Sequence, residues 1–481
     1  MIECGWKNNL TKRFMMSEEN KYQQHLVQVK SKLDTVSPSF CVAKWKQVTM
    51  HLQNGMTHSC HHPKAHVVPV SEIKRNPTAL HNSEFKKQQR KLMLEGSRPE
   101  ECDYCWRVED QGESHSDRVY KSADRWAYPF VEDIVSKPWD DNADPSYVEV
   151  SFSNVCNFKC SYCAPHISSQ WMEEIEKFGA YPTTDRFNNL EWIKQENMIP
   201  IPNREENPYV DAFWDWWPKM YSSLQHFRIT GGEPLLSKNT FKVLDYIIKN
   251  PNPNLEVSIN TNMNPPEEVF SKFLEKVKII VEEKKLKNFK LFTSAEAHGK
   301  QSEYIRFGMN YESWLKNIHR TFKEIPSIQF TIMSTYNILS LTSYTKFLDD
   351  ILEIKRMYGR HNESRTPMLL DIPYLRFPNH QAVFIMEKEM IGMIYDQVTH
   401  MYKNLEYKNW YGTANRGFFE HEADKLKRIY NIAKDIPENE WTNVNRKNFI
   451  TFVDEHDRRR GTNFLETFPE FSGIYSRWKN L

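Results

Sequence analysis

Three cysteines lie close together in the stretch Ser151 to Pro165, SFSNVCNFKCSYCAP. Cys156, Cys160 and Cys163 have the spacing C-x3-C-x2-C. Three thiolates this close can hold three irons of a cubane iron–sulfur cluster and leave the fourth iron open. An open metal position can take a small molecule, as catalytic metal sites do. The same spacing also fits a structural zinc site or three unrelated buried thiols.

Two further groups of residues have chemical potential. Gly231-Gly232-Glu233-Pro234 begins 68 residues after Cys163 (231 − 163). Paired glycines let backbone approach a ligand closely, and a carboxylate beside them can accept from an ammonium. Alone, this GGEP is equally a strand-to-helix turn. The other group is Cys41, Cys60, Cys102 and Cys105. Thirteen residues separate Cys41 from Gly55, four separate Gly55 from Cys60, and Cys102 and Cys105 form a C-x2-C pair. Such thiols can meet around one metal centre. A zinc ribbon uses similar pairs, and His58, His61, His62 and His66 lie nearby. These histidines are expected at the surface or behind the ligands.

The cysteine triplet, aromatic Tyr162 before its last cysteine, and the GGEP together resemble the radical S-adenosylmethionine (SAM) enzymes. The resemblance implies a 4Fe–4S cluster on Cys156, Cys160 and Cys163, with SAM chelated to the open iron. One electron then cleaves SAM to methionine and a 5′-deoxyadenosyl radical, which abstracts hydrogen from a substrate. It also implies SAM contacts from Tyr162, Gly231, Gly232, Glu233 and Pro234, with Glu233 holding the amino group. Asn260, Thr261 and Asn262 resemble the family's TN-G strand ending, with Met263 where glycine is common. Ser294 and Glu296 fall where the fourth strand offers polar contacts to SAM. No residue is singled out as catalytic.

Cys41, Gly55, Cys60, Cys102 and Cys105 resemble the auxiliary-cluster modules called SPASM and, in shorter form, twitch. Four ligands suit the single-cluster twitch form. Such modules normally follow the barrel, whereas these cysteines precede it. Members with such modules modify peptides or proteins, or oxidise alcohols. The expected function is radical SAM chemistry on a peptide, protein or small molecule, assisted by an auxiliary iron–sulfur cluster and supplied by a donor such as flavodoxin or ferredoxin. The alternative is a zinc-stabilised binding protein without radical chemistry. Methyl transfer would need a further acceptor cysteine, for which Cys4 alone is poor support.

These residues need strands to place them. Tyr147 to Phe152 alternates and leads into the cysteine loop, and Phe227 to Thr230 leads into the GGEP. Leu255–Asn260, Lys290–Thr293, Ile328–Met333 and Met368–Leu375 continue the series, with Ser334 and Asn337 beyond the fifth strand. Strands alternating with helical stretches predict an α/β fold, and the family resemblance makes it a partial (β/α)6 barrel over 147–380. Within it, Trp192, Phe213, Trp214, Trp216 and Trp217 predict a helical insertion that packs its aromatics. Before the barrel stand an N-terminal extension (1–38), a small α+β cluster module (39–118) and an ordered linker (119–146). In the module, Val48–Leu52 predicts a strand, Asn54-Gly55 a hairpin turn, Ile73–Thr78 an extended run and Ser83–Glu95 a helix stopped at Gly96. Residues 381–481 form a helical extension, carrying a core stripe from Val383 to Met401 and another helix at Leu426, Ile429 and Ile432. Arg458-Arg459-Arg460 there predicts a solvated turn.

The 481 residues allow two or three domains. With 64 Lys plus Arg against 63 Asp plus Glu, no global charge favours nucleic acid or an anionic membrane. Aromatics at 13% supply a large core. No apolar run spans a membrane, and the N-terminus lacks a signal-peptide core. The expectation is a cytoplasmic protein whose eight cysteines serve metal or catalysis before disulfides.

Overall fold

The computed structural model describes residues 4–112, 115–358, 368–408 and 414–481. The side chain of Cys4 lies outside the described residues. The chain divides into two compact units, Met1–Val150 with Glu205–Phe227, and Ser151–Arg204 with Arg228–Leu481. Its strands in chain order begin with β1 (Gln47–His51), β2 (Met56–His58), β3 (His66–Val67), β4 (Tyr147–Ser151), β5 (Lys159–Cys160) and β6 (His226–Thr230). They continue with β7 (Asn252–Asn260), β8 (Leu286–Ser294), β9 (Arg306–Phe307), β10 (Gln329–Met333) and β11 (Met368–Asp371).

In the first unit the strand order is β4-β1-β2-β3. β1 and β2 form an antiparallel hairpin pairing Thr49 with His58 and His51 with Met56. Gly55 in its turn has φ +71°, and a Cβ there would lie 2.1 Å from the Tyr209 ring, so only glycine fits. The helix Glu84–Leu94 starts at Ser83, whose hydroxyl accepts from the Lys86 N–H. Ile73–Thr78 is expected as extended, but its first three residues instead end a short helix, Val70–Arg75. Pro69 precedes it, Glu72 stands in its first turn, and Lys74 and Arg75 close it; these termini outweigh its weak strand pattern. The core joins Leu26, Val29 and Leu33 of the long helix Cys4–Val36 to Trp106, Val119, Trp126 and Ile134. The N-terminal helix and the 119–146 segment are thus packed into this unit. The aromatic helix Pro208–Ser223 also belongs to it and buries Phe213, Trp216 and Trp217.

The second unit is mixed α/β, with parallel ladders β7–β8, β8–β10 and β10–β11. Its strands bury alternate residues, such as Val257 and Ile259, or Phe330 and Ile332. Amphipathic helices Lys238–Lys249, Glu267–Glu282, Tyr311–Glu324 and Tyr344–Tyr358 connect them. Helices Lys388–Lys403, Glu420–Ala433 and Glu440–Arg460 follow. The basic triplet ends the last of these helices and is not a solvated turn. The Arg460 side chain is fully buried because Glu174 pairs with it. Among the described residues, no helix is long and apolar enough to cross a membrane.

Candidate functional site

The cysteine loop of the second unit leaves the end of β4 and is fixed along its length. The Cys156 N–H donates to Ser169 Oγ at 3.2 Å, and Ser168 Oγ donates to the Phe158 carbonyl at 2.7 Å. The Cys160 carbonyl accepts from Trp171 Nε1 at 2.8 Å. β5 pairs antiparallel with β9, setting Lys159 opposite Phe307 and Cys160 opposite Arg306. Gly308, at φ +108°, follows that pair because a Cβ there would lie 2.6 Å from the Asn157 carbonyl. The Gln381 amide brackets Ser161, accepting from its hydroxyl at 2.7 Å and donating to its carbonyl at 3.1 Å. Arg460 donates to the Lys159 carbonyl at 2.7 Å.

The sulfurs themselves receive donors. The Phe158 N–H approaches Cys156 Sγ at 3.4 Å, and Arg306 Nη1 approaches Cys160 Sγ at 3.6 Å. All three cysteines are half-buried. Burial pushes the Cys163 thiol up to about 12, and raises those of Cys156 and Cys160. Loss of the proton to a metal would remove that penalty. The donor set therefore fits a thiolate-bound group.

The glycine pair is explained by this loop. A Cβ on Gly231, at φ +120°, would lie 2.5 Å from Ser151 Oγ; one on Gly232 would lie 2.3 Å from the Val155 carbonyl. Both glycines make a close approach to the cysteine loop. The Glu233 N–H donates to the Val155 carbonyl at 2.7 Å, and Pro234 opens the next short turn of helix.

The Glu233 side chain is buried. Its Oε1 accepts from the Leu235 N–H at 3.0 Å and Thr261 Oγ1 at 2.8 Å, and its Oε2 accepts from the Asn262 N–H at 2.6 Å. Burial outweighs these donors and pushes the carboxyl up to about 7. A carboxylate oxygen has lone pairs for more than one donor, so Oε2 can accept an ammonium as well. Asn262 Nδ2 donates to Asn157 of the cysteine loop at 2.7 Å. Met263 sits at φ +57°, the left-handed conformation that glycine takes most readily.

Other candidates form a second constellation. Arg306 donates to both Glu296 oxygens, at 2.8 and 2.6 Å, and to the Tyr162 hydroxyl at 2.6 Å. Tyr162 donates in turn to Glu296 Oε1 at 2.7 Å. Asn260, at the end of β7, accepts from Arg228 Nε at 3.1 Å, and half-buried Ser294 ends β8. Arg306, Gln381 and Arg460 were not identifiable from sequence. A basic or amide residue far along the chain carries no local sign of its partner.

In the first unit, Cys41, Cys60, Cys102 and Cys105 line one cavity, together with Lys44 and His62. Among the described residues, no three His, Cys, Asp or Glu side chains close on one point as ligands of a single ion would; the thiols face a void. Burial pushes Cys60 and Cys105 up to about 12 and Cys102 to about 11. Backbone N–H groups of His62 and Arg118 and the Lys44 ammonium work against that rise. Lys44 is buried and ion-paired with Glu101. The nearby histidines have other partners. His58 faces the Cys60 carbonyl, His61 lies 3.0 Å from Lys121, His62 is 2.8 Å from Asp117, and His66 is 3.3 Å from Ser83.

Residues 150–346 match the family model described as Radical SAM superfamily, which implies SAM and a 4Fe–4S cluster. No curated protein matches the chain. Similar solved structures include the crystal structure of Streptococcus suis SuiB, at 12% identity over 75% of this chain and 69% of that one, with TM-score 0.33. Another is Streptococcus suis SuiB bound to S-adenosylmethionine, at 13% identity over 75% and 70%, with TM-score 0.31.

Proposed function

We propose that this enzyme of the radical SAM class holds its 4Fe–4S cluster on Cys156, Cys160 and Cys163, and that Glu233 receives the SAM ammonium. When bound, the cluster and SAM supply one-electron cleavage of SAM and hydrogen abstraction from a substrate. The observation that carries the reading is the joining of the two motifs: the Glu233 N–H is bonded to the Val155 carbonyl, next to Cys156. The second unit is read as a partial (β/α)6 barrel. Tyr162, Asn260, Asn262, Ser294 and Glu296 are read as its further polar wall toward SAM.

The four cysteines of the first unit are read as a twitch-like site for one auxiliary iron–sulfur cluster. Four thiols around a void suit a multi-iron centre better than a single ion. The substrate class is a peptide, a protein or a small molecule that loses hydrogen, with a flavodoxin or ferredoxin as donor, in the cytoplasm.

The test is anaerobic reconstitution of the full chain and of its Cys156→Ala/Cys160→Ala/Cys163→Ala variant. The native chain should form 5′-deoxyadenosine from SAM and dithionite, and the variant should form none while keeping its auxiliary iron. Equal product from both would refute the assignment. Zinc in place of iron in the first unit would leave a structural site there.

A further inference from the structure

Lys44 lines the four-cysteine cavity, and the buried basic residues Lys86 and Arg90 stand behind it. Lys44, Lys86 and Arg90 are each exposed by 2% or less. Lys44 pairs with Glu101, the one carboxylate paired with any of the three among the described residues. Lys86 Nζ donates to Thr57 Oγ1 at 3.0 Å, a neutral acceptor. Arg90 donates to Asn82 Oδ1 at 2.8 Å and to the carbonyls of His81 and Lys44 at 3.0 and 3.2 Å, all neutral. Burial, with Arg90 and Lys44 close enough to act on it, pushes the Lys86 ammonium well below its ordinary value, and Glu101 and Cys60 act the other way.

Burying an ion costs several kcal/mol unless an opposite charge meets it. One carboxylate serves these three basic side chains among the described residues, so Lys86 keeps its proton, and Arg90 is matched, only where further negative charge meets them. The cavity beside them is lined by the four thiols, and an iron–sulfur centre bound by four thiolates is a net anion. We infer that Lys44, Lys86 and Arg90 are the built-in counter-charge of the auxiliary centre and hold its reduction potential up, which suits it to accept an electron. The inference rests on the reading of Cys41, Cys60, Cys102 and Cys105 as cluster ligands. Arg118 also lines the cavity but is already matched by Glu109 and Asp34. Lys86 is therefore the cleanest single charge to remove.

The experiment is a potentiometric titration followed by electron paramagnetic resonance. It uses the full-length chain carrying Cys156→Ala, Cys160→Ala and Cys163→Ala, so that only auxiliary iron is observed. In this background Lys86→Met should keep its iron and lower the reduced-to-oxidised ratio at a fixed potential about tenfold, equivalent to about 59 mV for one electron. The paired change Lys44→Met with Glu101→Gln removes one charge of each sign and should shift the ratio less than threefold. A merely structural lysine would leave the potential unmoved. If Lys86→Met does not fold, Lys86→Gln, which keeps a donor for Thr57, makes the same measurement. Iron retained with an unchanged or raised ratio overturns the inference. Absence of iron from the parent chain with its four cysteines intact overturns the cluster reading instead.

Discussion

Arg306 and Cys160 face each other across a two-residue antiparallel pair, with Nη1 3.6 Å from the sulfur. The same guanidinium grips both oxygens of Glu296, whose side chain is fully buried. One arginine thus ties a candidate cluster ligand to the chain beyond β8.

Removing half of that pair should be costly. Glu296→Gln keeps the shape but leaves Arg306 without an ion-paired carboxylate among the described residues. A buried pair broken on one side loses about 3–5 kcal/mol. The urea midpoint should fall accordingly. Replacing both residues with methionine should recover most of the loss, since the desolvation cost disappears with the charges. A midpoint within about 0.5 kcal/mol of the native one for Glu296→Gln would contradict the burial argument.

Two glycines should respond oppositely to alanine. At Gly232 the new methyl would lie 2.3 Å from the Val155 carbonyl and 2.8 Å from that of Asn154, pushing the GGEP turn off the cysteine loop. Overpacking of this kind costs about 1–3 kcal/mol. Iron content should fall along with the melting temperature. Gly392 lies exposed within the helix Lys388–Lys403, with nothing inside 4 Å of its would-be Cβ. Gly392→Ala should therefore stabilise by about 0.8–1 kcal/mol. Thermal melts of the two variants, with iron analysis, decide both.

The candidate site is readable where it is contiguous. The C-x3-C-x2-C stretch and the GGEP each carry their donors within a few residues, and the strands before them alternate clearly. The residues that hold the loop in place were not readable. Arg306 lies 146 residues from Cys160, Gln381 lies 220 from Ser161, and Arg460 lies 301 from Lys159. Only the folded chain chooses among so many arginines and amides. The glycine pair is legible in the sequence, but the Ser151 hydroxyl and Val155 carbonyl that leave no room for a side chain there are not, because periodicity does not show which backbone comes near. The pattern of Ile73–Thr78 reads as extended because the helix Val70–Arg75 that overlaps it has six residues, too few for a helical repeat to show.

If Glu233 receives the SAM ammonium, SAM binding should depend on pH. Without SAM, burial holds its carboxyl at about 7, against 4.5 for a free one. Between those values the folded chain keeps a proton that the unfolded chain releases. The stabilisation from this group is therefore complete below about pH 4.5 and lost as pH rises to about 7. An ammonium on Glu233 favours the ionised form instead. SAM affinity should then rise with pH by up to about tenfold per unit below 7 and level off above it. Glu233→Gln should flatten that rise and weaken binding about tenfold to hundredfold, the loss of a charge-assisted hydrogen bond of roughly 1.5–3 kcal/mol. Anaerobic equilibrium dialysis with SAM from pH 6 to 8 measures both, and a native profile as flat as the variant's would remove Glu233 from the SAM site.

The helix Glu440–Arg460 should act on the cysteine loop through Arg460. Its guanidinium meets Glu174 at 3.1 and 3.2 Å while donating to the Lys159 carbonyl, next to Cys160. Lys159 Nζ also reaches Glu174, at 2.7 Å. Burial pushes the Glu174 carboxyl up, but Arg460, Lys159 and Tyr181 outweigh it and hold it at about 2. A carboxyl depressed in the folded state contributes stability above its unfolded value of about 4.5, and that contribution fades as pH falls toward 2. Arg460→Met removes the guanidinium, leaving Lys159 to meet Glu174 alone and the Lys159 carbonyl without its donor. The loss at pH 7 should fall at or below the lower end of the 3–5 kcal/mol seen for one-sided removal, because Lys159 still compensates the charge. As pH falls from about 4.5 toward 2 the native and variant midpoints should draw together, because the native contribution of Glu174 is lost over that window. Denaturation series at pH 7 and pH 3, with iron content measured at pH 7, separate this from a generic packing loss. A packing loss would persist unchanged in acid and would spare the iron.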